Sequence, residues 1–388
     1  MKDAKGKSIT DHRPGCKPKW EIFYEVGRDA TGKRKQETKS GFTTKKEAQI
    51  ALSAAVDRVN KGLYVTGAPV LVRDFLDGWL QGKATLRDST VQAYRSHLDL
   101  YLIPHLGHVR LAELRHHHVE RMFTDLRSRP GAPLSPATLQ RIRATFNSAL
   151  NSAMKRQLIL VNPVASIELP SIPRRSHSVW TIDELNRFFD FTAKERLAVA
   201  YRVVAMTGFR RGEIAGLRWE DVDLDRRILH VRQQRVQLRT GVKVGPPKSD
   251  TGVRRVPIDE TTADLLRQHR ARMTEEALGR GEGRTAMEYV FVKEDGSPVM
   301  PETIYKTMRR LALRAGLPPI RLHDLRHTHA SHALAAGIPM KVVQERLGHS
   351  SISLTMDTYT AVLPEVAVVA ADLIAAAVDG KRRPAVGG

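Results

Sequence analysis

Two breakers fence off a helical block, and that block sets the first limit on how this chain can fold. Between VTGAPV (65–70) and LPSIPRRSHSVW (169–180) lie VRDFLDGWLQG, STVQAYRSHLDLYLIPHLG, LAELRHHHVERMFTDLRSR and SPATLQRIRATFNSALNSAMKRQLI, each with apolar residues every three or four positions. That spacing lines one face of a helix with apolar side chains, so the block predicts a small helical domain with its own core. The last helix opens with Ser135 as N-cap and Pro136 at its first position, and it is expected to run until just before Asn162-Pro163. Its charged faces, with Arg87, Arg95, Arg141, Arg143, Lys155 and Arg156, suit tracking phosphates or facing water.

The flanking segments read differently. Residues 1–66 carry 15 Lys+Arg against 8 Asp+Glu. KWEIFYEVG (19–27) predicts a strand, KRKQETKSGF its polar partner after the DATG turn, and Thr44 with Glu47 a capping box for the helix KKEAQIALSAAVDRVNKG. A basic sheet backed by one helix suits a DNA reader and suits a solvated surface equally. Beyond 180, RRILHVRQQRVQ and GVRRVPI read as strands, and RTGVKVGPPKSDT between them as a loop. The fold class is therefore multidomain and mainly α. A small basic β-sheet plus helix occupies 1–66, a helical domain 67–168, a linker 169–180, and a mixed α/β domain, mostly helical with a small sheet or hairpin, 181–379; 380–388 is a flexible tail.

Charge narrows the partner. The chain has 388 residues, too many for one compact core, and 63 Lys+Arg against 42 Asp+Glu leave it at +21. A chain this basic calls for a polyanion, most often nucleic acid. A membrane surface would need a basic amphipathic helix or lipid anchor, and neither pattern is present. The aromatic content of 6% argues for duplex rather than single-strand recognition. One cysteine, Cys16, excludes a disulfide framework or multi-thiolate metal site. The N-terminus has no signal-peptide pattern, and the apolar stretch 366–378 is too short to span a bilayer, so a cytoplasmic protein is expected.

The chemistry-bearing residues cluster after 205. In MTGFRRGEIAGLRWEDVDL (206–224) a helix breaks at Thr207-Gly208, leaving Arg210 at the break and Glu213 one turn on to fix it by a charge-assisted bond. Taken alone, such a pair is usually a surface salt bridge. Lys248, in GPPKSDTGVRRVPI, sits on a loop from which it could reach a substrate and donate a proton. RLHDLRHTH (321–329) nearly spells a zinc signature, with His323 and His327 four apart. Arg326 falls between them, however, and Asp324 is one carbon shorter than the glutamate base of such sites. A fixed cation there repels zinc, whereas an arginine fork beside an imidazole matches phosphate. Downstream, His349 follows Gly348, and Tyr359 lies among Asp357, Thr358 and Thr360, with little apolar surface to pack against. No GxxxxGK[ST] phosphate loop is present.

In order, TGFRRGE, PPKSDTGVRRVPI, HDLRH, LGHSS and MDTYT resemble the catalytic domain of the tyrosine recombinases, in particular phage-type and mobile-element integrases. The resemblance covers about 175–365 and extends more loosely to the helical segment, similar to their SAM-like core-binding domain, and to the basic N-terminal segment, similar to their arm-type DNA-binding domain. It implies that Tyr359 attacks the scissile phosphodiester to form a 3′-phosphotyrosine, that Arg210 and Arg326 stabilise the transition state, and that Lys248 protonates the leaving 5′ oxygen. It further implies that His323 moves a proton at the tyrosine, His349 hydrogen-bonds the phosphate, and Glu213 supports Arg210, with no metal and no cofactor. The implied partners are double-stranded DNA at core-type and arm-type sites, a homotetramer on synaptic DNA joined through the C-terminal helix PEVAVVAADLIAAAV, a DNA-bending host factor and an excisionase; the implied setting is the nucleoid of a bacterial host. The alternatives are a type IB topoisomerase, a non-catalytic DNA-binding regulator and a zinc hydrolase.

Overall fold

A computed structural model describes residues 20–28, 34–60, 70–173, 179–247, 249–281 and 288–349, together with residue 375. Lys248, Tyr359, the DATG turn, Cys16 and the C-terminal apolar helix apart from residue 375 lie outside the described residues. The chain divides into two compact units, Met1–Pro173 and Arg174–Gly388. Among the described residues no helix is long and apolar enough to cross a membrane.

The first unit opens with strands β1 (Trp20–Arg28) and β2 (Arg34–Phe42), paired antiparallel, followed by helix α1 (Lys45–Asn60). The Thr44–Glu47 box forms as the sequence predicts: the Glu47 amide donates to Thr44 Oγ1 at 3.2 Å and the Thr44 amide to Glu47 Oε2 at 3.2 Å. Period-two alternation turns Ile22 inward against Ala48 and Leu52 of α1. Helices α2 (Val72–Gln81), α3 (Asp88–His97), α4 (Ile103–Leu106), α5 (His116–Arg127) and α6 (Pro136–Lys155) bury a separate core around Trp79, Leu98, Phe123, Ile142 and Phe146.

Three boundaries differ from the sequence reading, each for a local reason. The predicted helix over 89–107 is one helical run, but Leu98–Leu102 is a π turn, because Pro104 lacks the N–H that an α turn needs there. The predicted helix from 111 breaks at Leu114-Arg115, where the backbone is extended and the His118 imidazole accepts from the Arg115 amide at 3.1 Å, a cap no standard capping residue announces. Ser135 caps α6 as expected, yet the helix stops at Lys155 rather than near Asn162. Gln157 takes a left-handed φ of 56°, and Asn162 instead turns back to donate to Asn147 and Asn151 at 2.8 and 2.7 Å.

The second unit begins with α7 (Ile182–Thr192), α8 (Ala198–Thr207) and the short α9 (Arg211–Ala215). Trp180, assigned to the linker by the sequence, belongs to this core: it is 1% exposed, and its indole donates to Pro318 O at 3.0 Å. Strands β3 (Val222–Asp223), β4 (Ile228–Val231) and β7 (Arg254–Pro257) make an antiparallel sheet in the order β3-β4-β7. Between β4 and β7 the loop read from the sequence is itself structured: β5 (Gln234–Leu238) and β6 (Gly241–Gly245) form a separate hairpin. Helices α10 (Glu260–Gly279), α11 (Pro301–Arg314), α12 (Leu322–Ala335) and α13 (Met340–Leu347) complete the unit around Phe188, Tyr201, Val204, Phe209, Met308 and Leu325.

Helix α8 ends at Gly208 in the left-handed region, φ +68°, where a Cβ would collide with the Leu347 side chain. Gly208→Ala should cost about 1–3 kcal/mol, from left-handed strain and displacement of Leu347. Denaturant unfolding measures this; an unchanged midpoint would mean that the end of α8 accommodates a side chain.

Candidate active site

Helices α8 and α13 both end on a left-handed glycine, Gly208 (φ +68°) and Gly348 (φ +65°), and so leave carbonyls without intrahelical partners. At α13 the His349 amide closes the turn on Gln344 O at 3.1 Å. Cations take several of the remaining carbonyls. Arg326, 1% exposed, joins the two ends: Nη1 donates to Gly208 O and Nη2 to Leu347 O, each at 2.7 Å. Arg210 Nη2 donates to Gly348 O at 3.0 Å, and Arg254 Nε to Arg346 O at 2.8 Å. Three successive carbonyls at the negative end of α13 thus hold three different guanidinium groups.

The α8 end is secured in the same manner. Arg346 Nη2 donates to Met206 O at 2.9 Å, and its Nε donates to His329 Nε2 at 3.2 Å. That second bond makes Nε2 an acceptor, so the proton of His329 is on Nδ1, which donates to Ala205 O at 3.1 Å. Burial, then the charge of Arg346, pushes His329 down to about 4, in keeping with this neutral tautomer.

Arg210 stands at the break after α8, as the N-terminal cap of α9, and Glu213 is the carboxylate that fixes it. Glu213 Oε2 accepts from the Arg210 amide at 2.9 Å and Oε1 from Arg210 Nη1 at 2.7 Å. The same carboxylate is gripped from the other side by Arg254, Nη2 to Oε2 at 2.9 Å and Nη1 to Oε1 at 3.2 Å. Glu213 is 2% exposed; burial alone would raise its pKa, but the charge and hydrogen bonds of Arg254, then Arg210, bring it to about 2. It is ionised at neutral pH, and its single negative charge is divided between two arginines.

The near-zinc stretch resolves into separate tasks. Arg321 and Asp324 cap α12: the Arg321 amide donates to Asp324 Oδ2 at 2.7 Å, and the guanidinium returns to Oδ1 at 2.7 Å. With its carboxylate committed to Arg321, Asp324 serves the helix start. The rings of His323 and His327 meet edge to face, centroids 4.9 Å apart. His323 keeps an open edge to solvent, but the protein crowding its other side, then the charge of Arg326, pushes it down to about 4. His349 is lowered to about 3 by burial, then by Arg326 and Arg210, so both imidazoles are neutral at pH 7 until an anion offsets those arginines.

A cavity of about 470 Å³ opens beside this cluster, with Arg210, Arg211, Gln234, Tyr305, Arg321 and His323 in its walls. Of the residues singled out from the sequence, Arg210, Glu213, Arg326 and His349 meet around the end of α13, and His323 lies within the field of both arginines. Lys248 and Tyr359 lie outside the described residues; the described neighbours of Lys248, Pro246, Pro247 and Ser249, belong to the connection from β6 to β7. Sequence reasoning passed over Arg254 and Arg346. A signal for Arg254 existed: in GVRRVPI it shares strand parity with Val256, which is fully buried, and an arginine on that face has to find partners inside. Such a binding set, two anchored guanidinium groups with flanking imidazoles, suits a phosphoryl group.

Comparison with known proteins agrees. Residues 179–365 match the phage integrase family, 12–55 the arm DNA-binding domain, and 71–126 the N-terminal SAM-like domain of phage integrases. The chain is 26% identical over 377 residues to a tyrosine recombinase XerC-like protein of Caldanaerobacter subterraneus subsp. tengcongensis, covering 92% of this chain and 95% of the relative. It is 30% identical over 240 residues to the tyrosine recombinase XerC of Xanthomonas axonopodis pv. citri, covering 61% of this chain and 70% of the relative. Its fold is similar to that of a lambda integrase tetramer bound to a Holliday junction, with a TM-score of 0.57 and 19% identity over 87% of this chain and 91% of that one. The chain belongs to the phage integrase family and is a tyrosine-type site-specific recombinase.

Proposed function

We propose that this recombinase cuts duplex DNA at a cognate site and rejoins it through a 3′-phosphotyrosine link, integrating a phage or other mobile element and excising it again. The observation that carries this reading is the convergence of Arg210 and Arg326 on the adjoining carbonyls of Gly348 and Leu347, beside His349. In the proposed step Tyr359 Oη bonds to phosphorus while the bond to the 5′ oxygen breaks. His323 takes the tyrosine proton, and Lys248 supplies one to the leaving oxygen. The phosphoryl group passes through a pentavalent state with one more negative charge than the diester. Arg210 and Arg326 offset that charge, and His349 donates a hydrogen bond. Religation runs the same steps backwards, with the broken bond conserved in the phosphotyrosine.

The wider assembly follows the three matched segments. Residues 1–66 would read arm-type sites, 67–168 core-type sites, and 181–379 would carry the chemistry. A net charge of +21 supports many phosphate contacts and hence strongly salt-dependent binding. A homotetramer on synaptic DNA belongs to this reading, and the tetramer that lambda integrase forms on a Holliday junction supports it; its joining through the apolar C-terminal segment is part of the proposal. A DNA-bending host factor and an excisionase would set direction, in the cytoplasm and on the nucleoid of a bacterial host.

A nicked suicide duplex bearing the cognate site of this recombinase tests the chemistry. A covalent 3′ adduct on Tyr359 is expected, lost in Tyr359→Phe and insensitive to chelator; failure to form any adduct rules the mechanism out. Arg210→Ala and Arg326→Ala should each slow adduct formation by about 10²- to 10³-fold.

The histidines give a second test. His323 and His349 sit at about 4 and about 3, below the unperturbed 6.5, so the folded chain resists protons that the unfolded chain accepts. Stability contributed by these neutral imidazoles is full above 6.5 and declines as pH falls from there through 4 to 3. A bound phosphate reverses the balance by stabilising the imidazolium forms. Calorimetric titration with DNA near pH 5, in buffers of different ionisation heat, should therefore register proton uptake that shrinks in His323→Ala and His349→Ala. Buffer-independent heats would remove the phosphate from the vicinity of these rings.

A further inference from the structure

We propose that Arg254 is a positioning residue for the two phosphate-binding arginines. The inference rests on the assignment of Arg210 and Arg326 to the scissile phosphate. Arg254 lies on β7, its side chain 6% exposed, and it does not line the cavity into which Arg210 and His323 open. Its guanidinium makes bonds in three directions. Nη1 and Nη2 form the fork on Glu213, Nη1 also donates to Gly252 O at 3.0 Å, and Nε donates to Arg346 O at 2.8 Å. The plane of the group lies over Phe209, 5.4 Å from the ring centroid, which limits its tilt.

Two of these partners, Glu213 and the Arg346 carbonyl, adjoin the clamp directly. Glu213 is the carboxylate that holds both the backbone and the side chain of Arg210. Arg346 O precedes the carbonyls of Leu347 and Gly348, which hold Arg326 and Arg210. Arg254 therefore fixes the carboxylate plane and the end of α13 relative to each other, and those two supports together aim Arg210. Without it, Glu213 would retain a single cationic partner and could rotate with Arg210. Lysine could keep the charge, but an ammonium cannot reproduce a planar fork plus a third bond from Nε.

The test is single-turnover adduct formation by the full chain on the suicide duplex, comparing Arg254→Lys and Arg254→Gln with wild type. With the ordinary phosphodiester, Arg254→Lys should slow the adduct by about tenfold to 10²-fold, the scale of a small misplacement of a catalytic group. A methylphosphonate at the scissile position replaces a charged oxygen with a methyl group, so its transition state leans less on the guanidinium pair. On that substrate the variants should approach wild type, as Arg210→Ala should, with DNA affinity near wild type; thermal unfolding is expected to fall because the buried Glu213 loses a partner, so rates are compared at a temperature where every variant is folded. Equal slowing on both substrates would reduce Arg254 to a packing role and overturn the proposal. Rescue instead by a 5′-bridging phosphorothiolate, whose leaving group needs no acid, would overturn it by moving the defect to the leaving-group side. Should one variant fail to fold, the other carries the comparison. Absence of any wild-type adduct on Tyr359 would count against the mechanism itself, independently of Arg254.

Discussion

The site depends on one buried cation spanning two helix ends. Arg326 is almost wholly enclosed, and the oxygens that each of its Nη atoms meets are the backbone carbonyls of Gly208 and Leu347. A buried guanidinium is costly unless its charge is compensated, and here the compensation includes the negative ends of α8 and α13. A carboxylate in the same place would stabilise the charge and cancel it. The two helix ends together carry only about one unit of negative charge, and they share it among Arg326, Arg210, Arg254 and Arg346, so they hold these groups in place and leave a positive field available to an anion. Both helices must end where they do for this to work, and the left-handed glycines make those ends sharp.

Arg210 is handled differently, with a comparable electrostatic result. Its partner, Glu213, is a full charge, but Arg254 shares it, so the trio carries a net positive charge. The lowered histidines report the same surplus from another direction: His323 and His349 are both pushed down in part by Arg326 and Arg210. On the proposed mechanism, a site with this surplus would bind a monoanionic diester and bind the more highly charged transition state more tightly. Such a gain, larger in the transition state than in the ground state, is the condition for rate acceleration.

Much of this was legible from residues alone, and the failures have physical causes. Side chains that cap their own helix within three or four positions read well: Thr44 with Glu47, Ser135, and Arg210 with Glu213 all stand as the spacing predicts. Asp324 likewise stands within reach of its own helix start, bonded to Arg321 three positions back. What failed required partners from afar. GVKVG looks like a loop because two glycines and a following proline pair weaken its strand character, yet pairing with β5 makes it β6. The cap at Arg115 comes from a histidine, and Trp180 sits inside the second unit because Pro318 and Thr328 receive it. The junction of α8 with α13 joins residues about 140 positions apart, a distance over which periodicity carries no information.

The manner of anchoring also bears on how the site meets DNA. An arginine carries five N–H groups, and a carbonyl bonded to one Nη occupies only one of the two hydrogens there. Arg210 can thus keep Glu213 and Gly348 while turning its remaining edge toward a phosphoryl oxygen. Its orientation is established by the fold before substrate arrives, so binding need not reorganise it. Preorganisation of this kind is where electrostatic catalysis gains most, because the dipoles and charges have been ordered during folding rather than during reaction. The end of α13 is the shared support: it holds Arg210, Arg254 and Arg326 through consecutive carbonyls, and the chain continues directly from it into His349. A displacement of that helix end would therefore move all three guanidinium groups together, so on the proposed mechanism the packing of α13 against α12 and β7 bears on activity as much as on stability.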